Sequence, residues 1–152
     1  MKRQYCIGID SGTQSTRAMM FDLSGTFICG ATVRHKPLIH GADGGIYMDE
    51  ENLWTSLCKA TQDMMSQFKG DKREILGVGL SPHNGTVFFM KNDGTHLMHP
   101  ICYQDYRTAD LEPMPDDCPA WEAWQHLNSR ANLLKCIAPD IFGQVEKYAS
   151  VG

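Results

Sequence analysis

The sequence predicts an α/β domain built on a mixed β-sheet with flanking helices, and three features of its first half support this. Residues 4–33 contain three strand-like segments separated by short polar turns. An amphipathic segment follows Asp49, and an apolar strand-like run follows that segment. Strands joined by short turns pair antiparallel, because a parallel crossover needs about a dozen residues or more. A strand that returns after a helix then makes the sheet mixed.

The strands are predicted from short runs of apolar and aromatic residues bounded by turn residues. The first three lie at residues 4–9, 16–21 and 26–33. The run at 75–81 is almost continuously apolar, which is typical of a buried central strand.

The helix is predicted from a cap and a periodic apolar face. Asp49 is a favourable N-cap residue, and Glu50 and Glu51 suit the positive end of the helix dipole. Apolar residues then recur at steps of three and four across residues 53–68, and Gly70 marks the expected end.

The second half is predicted to alternate strands, loops and short helices. The expected elements are strands at 86–90 and 96–103 around a turn at 92–94, a Pro-rich acidic loop at 108–120, helices at 121–127 and 129–137, and a last helix at 139–148. The basic run at residues 34–36 is expected to be a solvated tip.

Length and composition exclude several classes of protein. The chain has 152 residues, which suits one domain, and its 14 basic and 18 acidic residues leave a net charge of −4. This balance argues against a nucleic-acid partner, which needs a basic surface. No apolar run approaches the roughly 18 residues of a membrane span, and no signal-peptide pattern is present. Six scattered cysteines without a C-x-x-C spacing indicate reduced thiols and a cytoplasmic location.

The most informative segment is the polar turn between the first two strands, residues 10–17, with the sequence DSGTQSTR. Asp10 can hold Mg²⁺ through water, and Arg17 can make a two-pronged bond to a phosphate. The predicted phosphate-binding residues are Gly12, Thr13, Gln14, Ser15 and Arg17. The alternative is an ordinary polar β-turn with a surface arginine. Neither a Walker loop nor a dinucleotide fingerprint is present, because no G-K-[ST] occurs and a strand follows the turn.

The segment IGIDSGTQSTRAMMFDLSG resembles the first phosphate motif of the FGGY carbohydrate kinases. These kinases belong to the actin, Hsp70 and sugar-kinase superfamily, so the resemblance implies an incomplete ribonuclease H-like domain. The likeness continues in GGIYMDEENLWTSL, in GVGLSPHNGTVFFMKNDGTHLMHPICYQDYRT and in PDIFGQVEKYASVG. It covers essentially the whole chain and is weakest at 111–128.

The resemblance implies an enzyme that phosphorylates a sugar with Mg²⁺ and ATP, its small-molecule partners. Residues 1–152 match only the first part of the family's N-terminal domain, so the C-terminal ATP-binding domain is expected to be absent. The general-base aspartate is expected after residue 152, so no catalytic residue is assigned within the chain. The polypeptide alone is expected to be inactive, and its incomplete domain is expected to favour a homodimer or aggregates.

The resemblance also implies sugar-binding residues in two segments. Glycerol kinases carry an Arg-Glu pair where this chain has Asn84 and Gly85, and xylulose kinases carry a Met-His-Gly that is similar to residues 83–85. A ketopentose is therefore favoured over glycerol. The predicted substrate-binding residues are His83, Asn84, Tyr103, Gln104 and Asp105. The alternatives are a plain turn at 82–85 and a purely structural ion pair between Asp105 and Arg107.

Other functions stay open on the sequence alone. A non-catalytic relative that only binds a sugar or a nucleotide would keep the same motifs, and a glycerol or polyol kinase remains the alternative within the family. A structural domain of an actin-like assembly is disfavoured, because such proteins lack the sugar-loop and YQDYR segments.

Overall fold

The structure is a computed structural model that describes residues 4–110 and 129–151. The described chain forms two compact units. The first contains residues 4–37 and 49–84, and the second contains residues 38–48, 85–110 and 129–151. Within the described ranges, no helix is long and apolar enough to cross a lipid bilayer.

The first unit is built on a four-stranded sheet, and this confirms the predicted mixed topology. Its strands are β1 (Tyr5–Ser11), β2 (Ser15–Asp22), β3 (Phe27–Arg34) and β6 (Ile75–Ser81), in the order β3-β2-β1-β6. The three N-terminal strands pair antiparallel, and β6 pairs parallel with β1. The polar turn of interest therefore joins two central strands of the sheet.

Helix α1 (Glu50–Gln67) covers one face of this sheet and forms its core. The Asp49 carboxylate accepts a hydrogen bond from the Asn52 N–H at 2.8 Å, so the predicted cap is confirmed. The helix ends at Gln67, three residues before the Gly70 that was expected to mark its end, and the backbone at Phe68 is extended. The buried core contains Tyr5, Ile7, Ile9, Ala18, Met20, Cys29, Ala60, Met64 and Phe68. Burial of each large apolar side chain contributes about 1.5–3 kcal/mol, which fixes α1 against the sheet.

Strand β6 differs from the sequence-based expectation of a buried central strand. Among the described strands it pairs with β1 alone, and it therefore lies at the edge of the sheet. The side chains of Leu76, Val78 and Leu80 are 56%, 60% and 58% exposed. The reason is the position of α1, which packs on β2 and β3.

In its described residues the second unit combines two strand pairs with two short α-helices. Its strands are β4 (Ile39–His40), β5 (Ile46–Tyr47), β7 (Thr86–Met90) and β8 (Lys147–Val151), and its helices are α2 (Arg130–Ile137) and α3 (Pro139–Phe142). Strand β4 pairs with β5 and β7 pairs with β8, both antiparallel. Ile101 forms bridges to both Tyr47 and Val87. The core of the second unit contains Phe89, Ile101, Leu133 and Leu134.

Several predictions for the second half were correct and others were wrong. Strand β7, the turn ending at Gly94 (φ +89°) and helix α2 with its Ser129 cap are confirmed. Residues 96–103 make only isolated bridges instead of a strand. The last helix stops at Phe142, and the residues from Lys147 onward pair with β7 as a strand instead. The predicted helix at 121–127 lies outside the described residues, as does most of the predicted loop at 108–120.

Candidate functional site

The turn between β1 and β2 is a tight hairpin closed by main-chain hydrogen bonds. Ser11 pairs with Thr16 across the two strands, and the N–H of Gly12 donates to the carbonyl of Ser15 at 3.0 Å. Gln14 is exposed at the tip, whereas Ser15 is buried. The predicted phosphate-binding residues thus lie within one short loop, in which the Gly12 N–H is already used to close the turn.

Asp10 and Arg17 form an ion pair directly behind this turn. They face each other across β1 and β2, and Nη1 of Arg17 donates to Oδ2 of Asp10 at 3.0 Å. Their side chains are 48% and 49% exposed, and a surface ion pair of this kind contributes only about 0–1 kcal/mol to stability. The pair therefore presents accessible charge instead of anchoring the fold.

The ion pair lies in a groove of about 460 Å³ on the first unit. The groove is lined by Gly8, Ile9, Asp10, Arg17, Met19, Phe21, Gly79, Leu80 and Ser81. Asp10, Arg17 and Met19 alternate with residues that point into the core, because successive strand side chains point to opposite faces. The charged pair thus belongs to the face of the sheet opposite the buried core.

Two threonine hydroxyls of the hairpin are held by histidine rings. Oγ1 of Thr13 lies 2.8 Å from Nε2 of His83, and Oγ1 of Thr16 lies 2.8 Å from Nε2 of His35. Thr16 also contacts Oγ of Ser11 at 3.1 Å and is fully buried. These contacts fix the side chains of the turn before any ligand arrives.

His35 was missed as a candidate, because residues 34–36 were expected to form a solvated tip. Its ring is partly buried, and its main-chain N–H donates to the carbonyl of Gln14 at 2.9 Å. The pairing of Ser15 with Arg34 brings the end of β3 beside the turn. Prediction of the β2–β3 strand register from the sequence would have placed His35 beside the turn, because Arg34 pairs with Ser15.

Both imidazoles are biased toward the neutral form. Burial lowers the pKa of the His83 ring below its ordinary value, and the proximity of His35 lowers that pKa further. Burial also lowers the pKa of His35, opposed by the main-chain carbonyls of Thr13 and Gly12. Near neutral pH the two rings are therefore uncharged hydrogen-bonding partners of the turn.

Asp10 is compatible with a magnesium ion. Mg²⁺ keeps several of its waters and is usually bound by one or two carboxylates together with phosphate oxygens. The half-exposed Asp10 carboxylate offers such a ligand beside the predicted phosphate turn. No group of three or more metal-binding side chains occurs in the part of the chain that the structure describes. The donor set fits a hydrated, substrate-bridged ion.

The predicted sugar-binding residues fall in two units. His83 and Asn84 belong to the first unit, where His83 is buried and Asn84 is exposed. Gly85 follows with φ +75°, a conformation that favours glycine, and a Cβ there would lie 3.0 Å from Cβ of Tyr103. A glutamate like that of glycerol kinases would therefore be strained at position 85.

Tyr103 and Gln104 belong to the second unit. The Tyr103 ring is 45% exposed, and Nε2 of Gln104 donates to its hydroxyl at 2.9 Å. An exposed aromatic face beside an amide suits contact with the C–H face and hydroxyls of a sugar.

Asp105 lies in a buried network with Arg107. Arg107 donates from Nη2 to Oδ2 of Asp105 at 2.7 Å and from Nε to Oδ1 at 3.1 Å. The N–H of Ile46 also donates to Oδ2, while Arg107 contacts Asp43 and the Tyr47 hydroxyl. Burial alone would raise the pKa of Asp105, but these hydrogen bonds outweigh burial and leave that pKa lowered. Both carboxylate oxygens are thus engaged by the chain, which is the structural alternative that the sequence left open.

A family model describes most of this chain. Residues 5–114 match the N-terminal domain of the FGGY family of carbohydrate kinases. A relative from Escherichia coli K12, named as the uncharacterized sugar kinase YgcE, is 41% identical over 108 residues. That match covers 70% of this chain and 22% of the relative. The matched segment is therefore about a fifth of the relative's length.

Solved structures of sugar kinases share the fold. The ligand-bound xylulose kinase from Lactobacillus acidophilus matches 97% of this chain and 31% of its own, with a TM-score of 0.78 and 17% identity. The Plasmodium falciparum glycerol kinase with ADP matches 99% of this chain and 33% of its own, with a TM-score of 0.75 and 16% identity. The predicted fold, part of a domain of the sugar-kinase type, is confirmed.

Proposed function

The chain belongs to the FGGY family of carbohydrate kinases, and on that premise we propose that it supplies the phosphate-binding hairpin of an enzyme that phosphorylates a sugar with ATP. One observation carries the proposal. The half-exposed Asp10–Arg17 ion pair stands directly behind a glycine-containing turn whose Thr13 hydroxyl is already held in place.

In the proposed reaction a sugar hydroxyl attacks the γ-phosphoryl group of ATP, and the bond to ADP breaks. Catalysis of this transfer rests on positioning and on neutralising phosphate charge. Arg17 donates to phosphate oxygens, and Gly12, Thr13, Gln14 and Ser15 line the turn that receives them. Bound Mg²⁺, held through Asp10, supplies further charge neutralisation.

We assign residues 1–152 to the first part of the family's N-terminal domain. The rest of the protein then contributes the ATP-binding C-terminal domain and the carboxylate that accepts the hydroxyl proton. The chain expressed alone is accordingly expected to show no sugar-dependent ADP release. A general base contributes about 10²–10⁴-fold to such a step, so its loss would be visible in a coupled assay.

The proposed substrate is a sugar of the pentulose class. Gly85 supports this choice, because its positive φ disfavours the glutamate that glycerol kinases carry there. We assign the sugar contacts to His83, Asn84, Tyr103 and Gln104. Asp105, whose two carboxylate oxygens are engaged by Arg107 and the Ile46 N–H, belongs to the structural network. ADP release measured with xylulose, other pentuloses and glycerol separates the two substrate classes, and a glycerol preference would contradict the proposal.

The binding test uses the intact protein that carries this chain. Arg17→Ala is expected to weaken Mg·ATP binding about 10-fold or more, because a hydrogen bond to a charged group contributes about 1.5–3 kcal/mol. Arg73→Ala is the matched control, since Arg73 also pairs with an aspartate on the surface of the first unit. Equal Mg·ATP affinity in the two variants, measured by calorimetry, would contradict the phosphate site. Binding of sugar and Mg·ATP without turnover would identify a non-catalytic relative.

A further inference from the structure

The contact between Thr13 and His83 joins the predicted phosphate turn to the loop after β6. The two residues are separated by 70 positions, and Oγ1 of Thr13 lies 2.8 Å from Nε2 of His83. His83 is only 8% exposed, so its ring is held in place by the surrounding protein. Thr13 itself is half-buried at the turn.

The protonation of the His83 ring decides which partner donates in the contact between Thr13 and His83. A threonine hydroxyl has one proton to donate. When Nε2 is unprotonated, the Thr13 hydroxyl donates to the ring and cannot donate elsewhere. When Nε2 carries a proton, the ring donates to Oγ1, and the Thr13 proton is released for another acceptor.

We propose that His83 is a positioning residue for phosphate, which donates from Nε2 to Thr13 and thereby turns the Thr13 hydroxyl proton toward a phosphoryl oxygen. This inference rests on the proposed function and assigns His83 a second role at the same site. The Thr16–His35 contact does not carry the same inference. Thr16 is fully buried and also bonded to Ser11, so its hydroxyl is a structural part of the hairpin.

The electrostatics of the turn predict how anion binding acts on His83. In the free protein, burial and the neighbouring His35 lower the pKa of His83. The charged groups next to the turn are Asp10 and Arg17, which neutralise one another at 3.0 Å. A bound phosphate favours the ring form that donates from Nε2, and its negative charge stabilises the imidazolium. Phosphate binding then takes up protons, and affinity rises as the pH falls through the titration range of the bound histidine.

This role differs from the sugar contact assigned to the same residue. If His83 contacts only the sugar, removal of its ring lowers sugar affinity and has little effect on phosphate affinity. If His83 also positions Thr13, removal of the ring lowers phosphate affinity as well. The two ligands can be titrated separately.

The test uses the intact protein with three variants. His83→Gln keeps a side-chain N–H donor but cannot titrate, and His83→Leu removes the donor at similar volume. Thr13→Val removes the hydroxyl that the ring positions. His40→Gln, at an exposed histidine of the second unit, is the control. Affinities for Mg·ATP, inorganic phosphate and the sugar are measured from about pH 5.5 to about pH 8, across the ordinary histidine range.

The expected result has three parts. His83→Leu weakens binding of Mg·ATP and inorganic phosphate about 10-fold, because a charge-assisted hydrogen bond is lost. His83→Gln binds Mg·ATP and inorganic phosphate within about 3-fold of the wild-type affinity. After correction for the titration of the ligand itself, the phosphate affinity of His83→Gln does not depend on pH, whereas that of the wild type does. In the Thr13→Val background the two His83 variants bind alike.

Nitrogen-15 NMR of the histidine rings gives a readout that needs no variant. Nε2 of His83 is expected to be protonated when phosphate is bound. An unprotonated Nε2 in a protein that binds Mg·ATP would overturn this inference alone, as would lost sugar affinity with unchanged phosphate affinity in His83→Leu. A wild-type protein that binds neither Mg·ATP nor inorganic phosphate would overturn the proposed function as well.

Discussion

Asp10 and Arg17 occupy paired positions on β1 and β2, and their side chains meet at 3.0 Å on the open face of the sheet. The carboxylate and the guanidinium thus meet at the strand pair next to Ser11 and Thr16, the residues that close the turn. Opposite charges at this distance hold each other in place while both stay accessible. The arrangement suits a site that must receive a metal ion and a phosphate together.

The Asp10 carboxylate is predicted to act through Mg²⁺. Asp10→Asn removes the charge that favours the hydrated ion but keeps the size of the side chain. We expect Mg·ATP affinity to fall about 10-fold while the affinity for metal-free ATP stays the same or rises, since a negative group beside the phosphates is lost. Calorimetry with and without Mg²⁺ measures both. An equal loss under the two conditions would show that Asp10 does not act through the metal.

Asp105 is predicted to stabilise the second unit. Asp105→Ala leaves the Arg107 guanidinium without its buried partner, and removing one member of a buried ion pair costs about 3–5 kcal/mol. Asp43→Ala is the control, because Asp43 contacts the same arginine from a carboxylate that is 57% exposed. Urea unfolding is expected to show a loss several times larger for Asp105→Ala. Equal losses would mean that Arg107 is not held mainly by Asp105.

The same aspartate predicts an acid dependence of stability. The pKa of Asp105 is lowered in the folded protein, so its stabilising contribution is present above the unfolded value of about 3.9. That contribution is lost as the pH falls through the folded pKa. The stability difference between wild type and Asp105→Asn should therefore narrow below about pH 4. A difference that stays constant in urea titrations across this range would contradict the ion-pair origin.

The exposed apolar row on β6 is predicted to cause association of the 152-residue chain. Leu76, Val78 and Leu80 are all more than half exposed on a strand that is paired on one side among the described residues. Such edges template pairing between chains, and a charged residue blocks it. Val78→Lys is expected to shift the chain toward monomer in sedimentation experiments. Leu23→Lys, at an exposed apolar residue outside this row, should not. A wild-type chain that sediments as a monomer at high concentration would contradict the prediction.

Local sequence signals were sufficient for the first unit's framework. The three N-terminal strands, the Asp49 cap and the span of α1 all follow from turn residues and apolar periodicity, which act over a few neighbouring positions. The same signals failed at residues 139–148. Pro139 opens a helix as expected, but pairing with β7 turns the residues from Lys147 onward into a strand. Strand pairing over a long separation has no local signature.

The sequence by itself determined the polar hairpin, because Asp10, Gly12 and Arg17 lie within a few residues of one another and short-range geometry sets their positions. Tertiary structure alone decided that His35 and His83 hold the threonines of that hairpin, and that β6 lies at the sheet edge among the described strands. The physical reason is that these outcomes depend on strand register and burial, which distant segments establish only after the chain has folded.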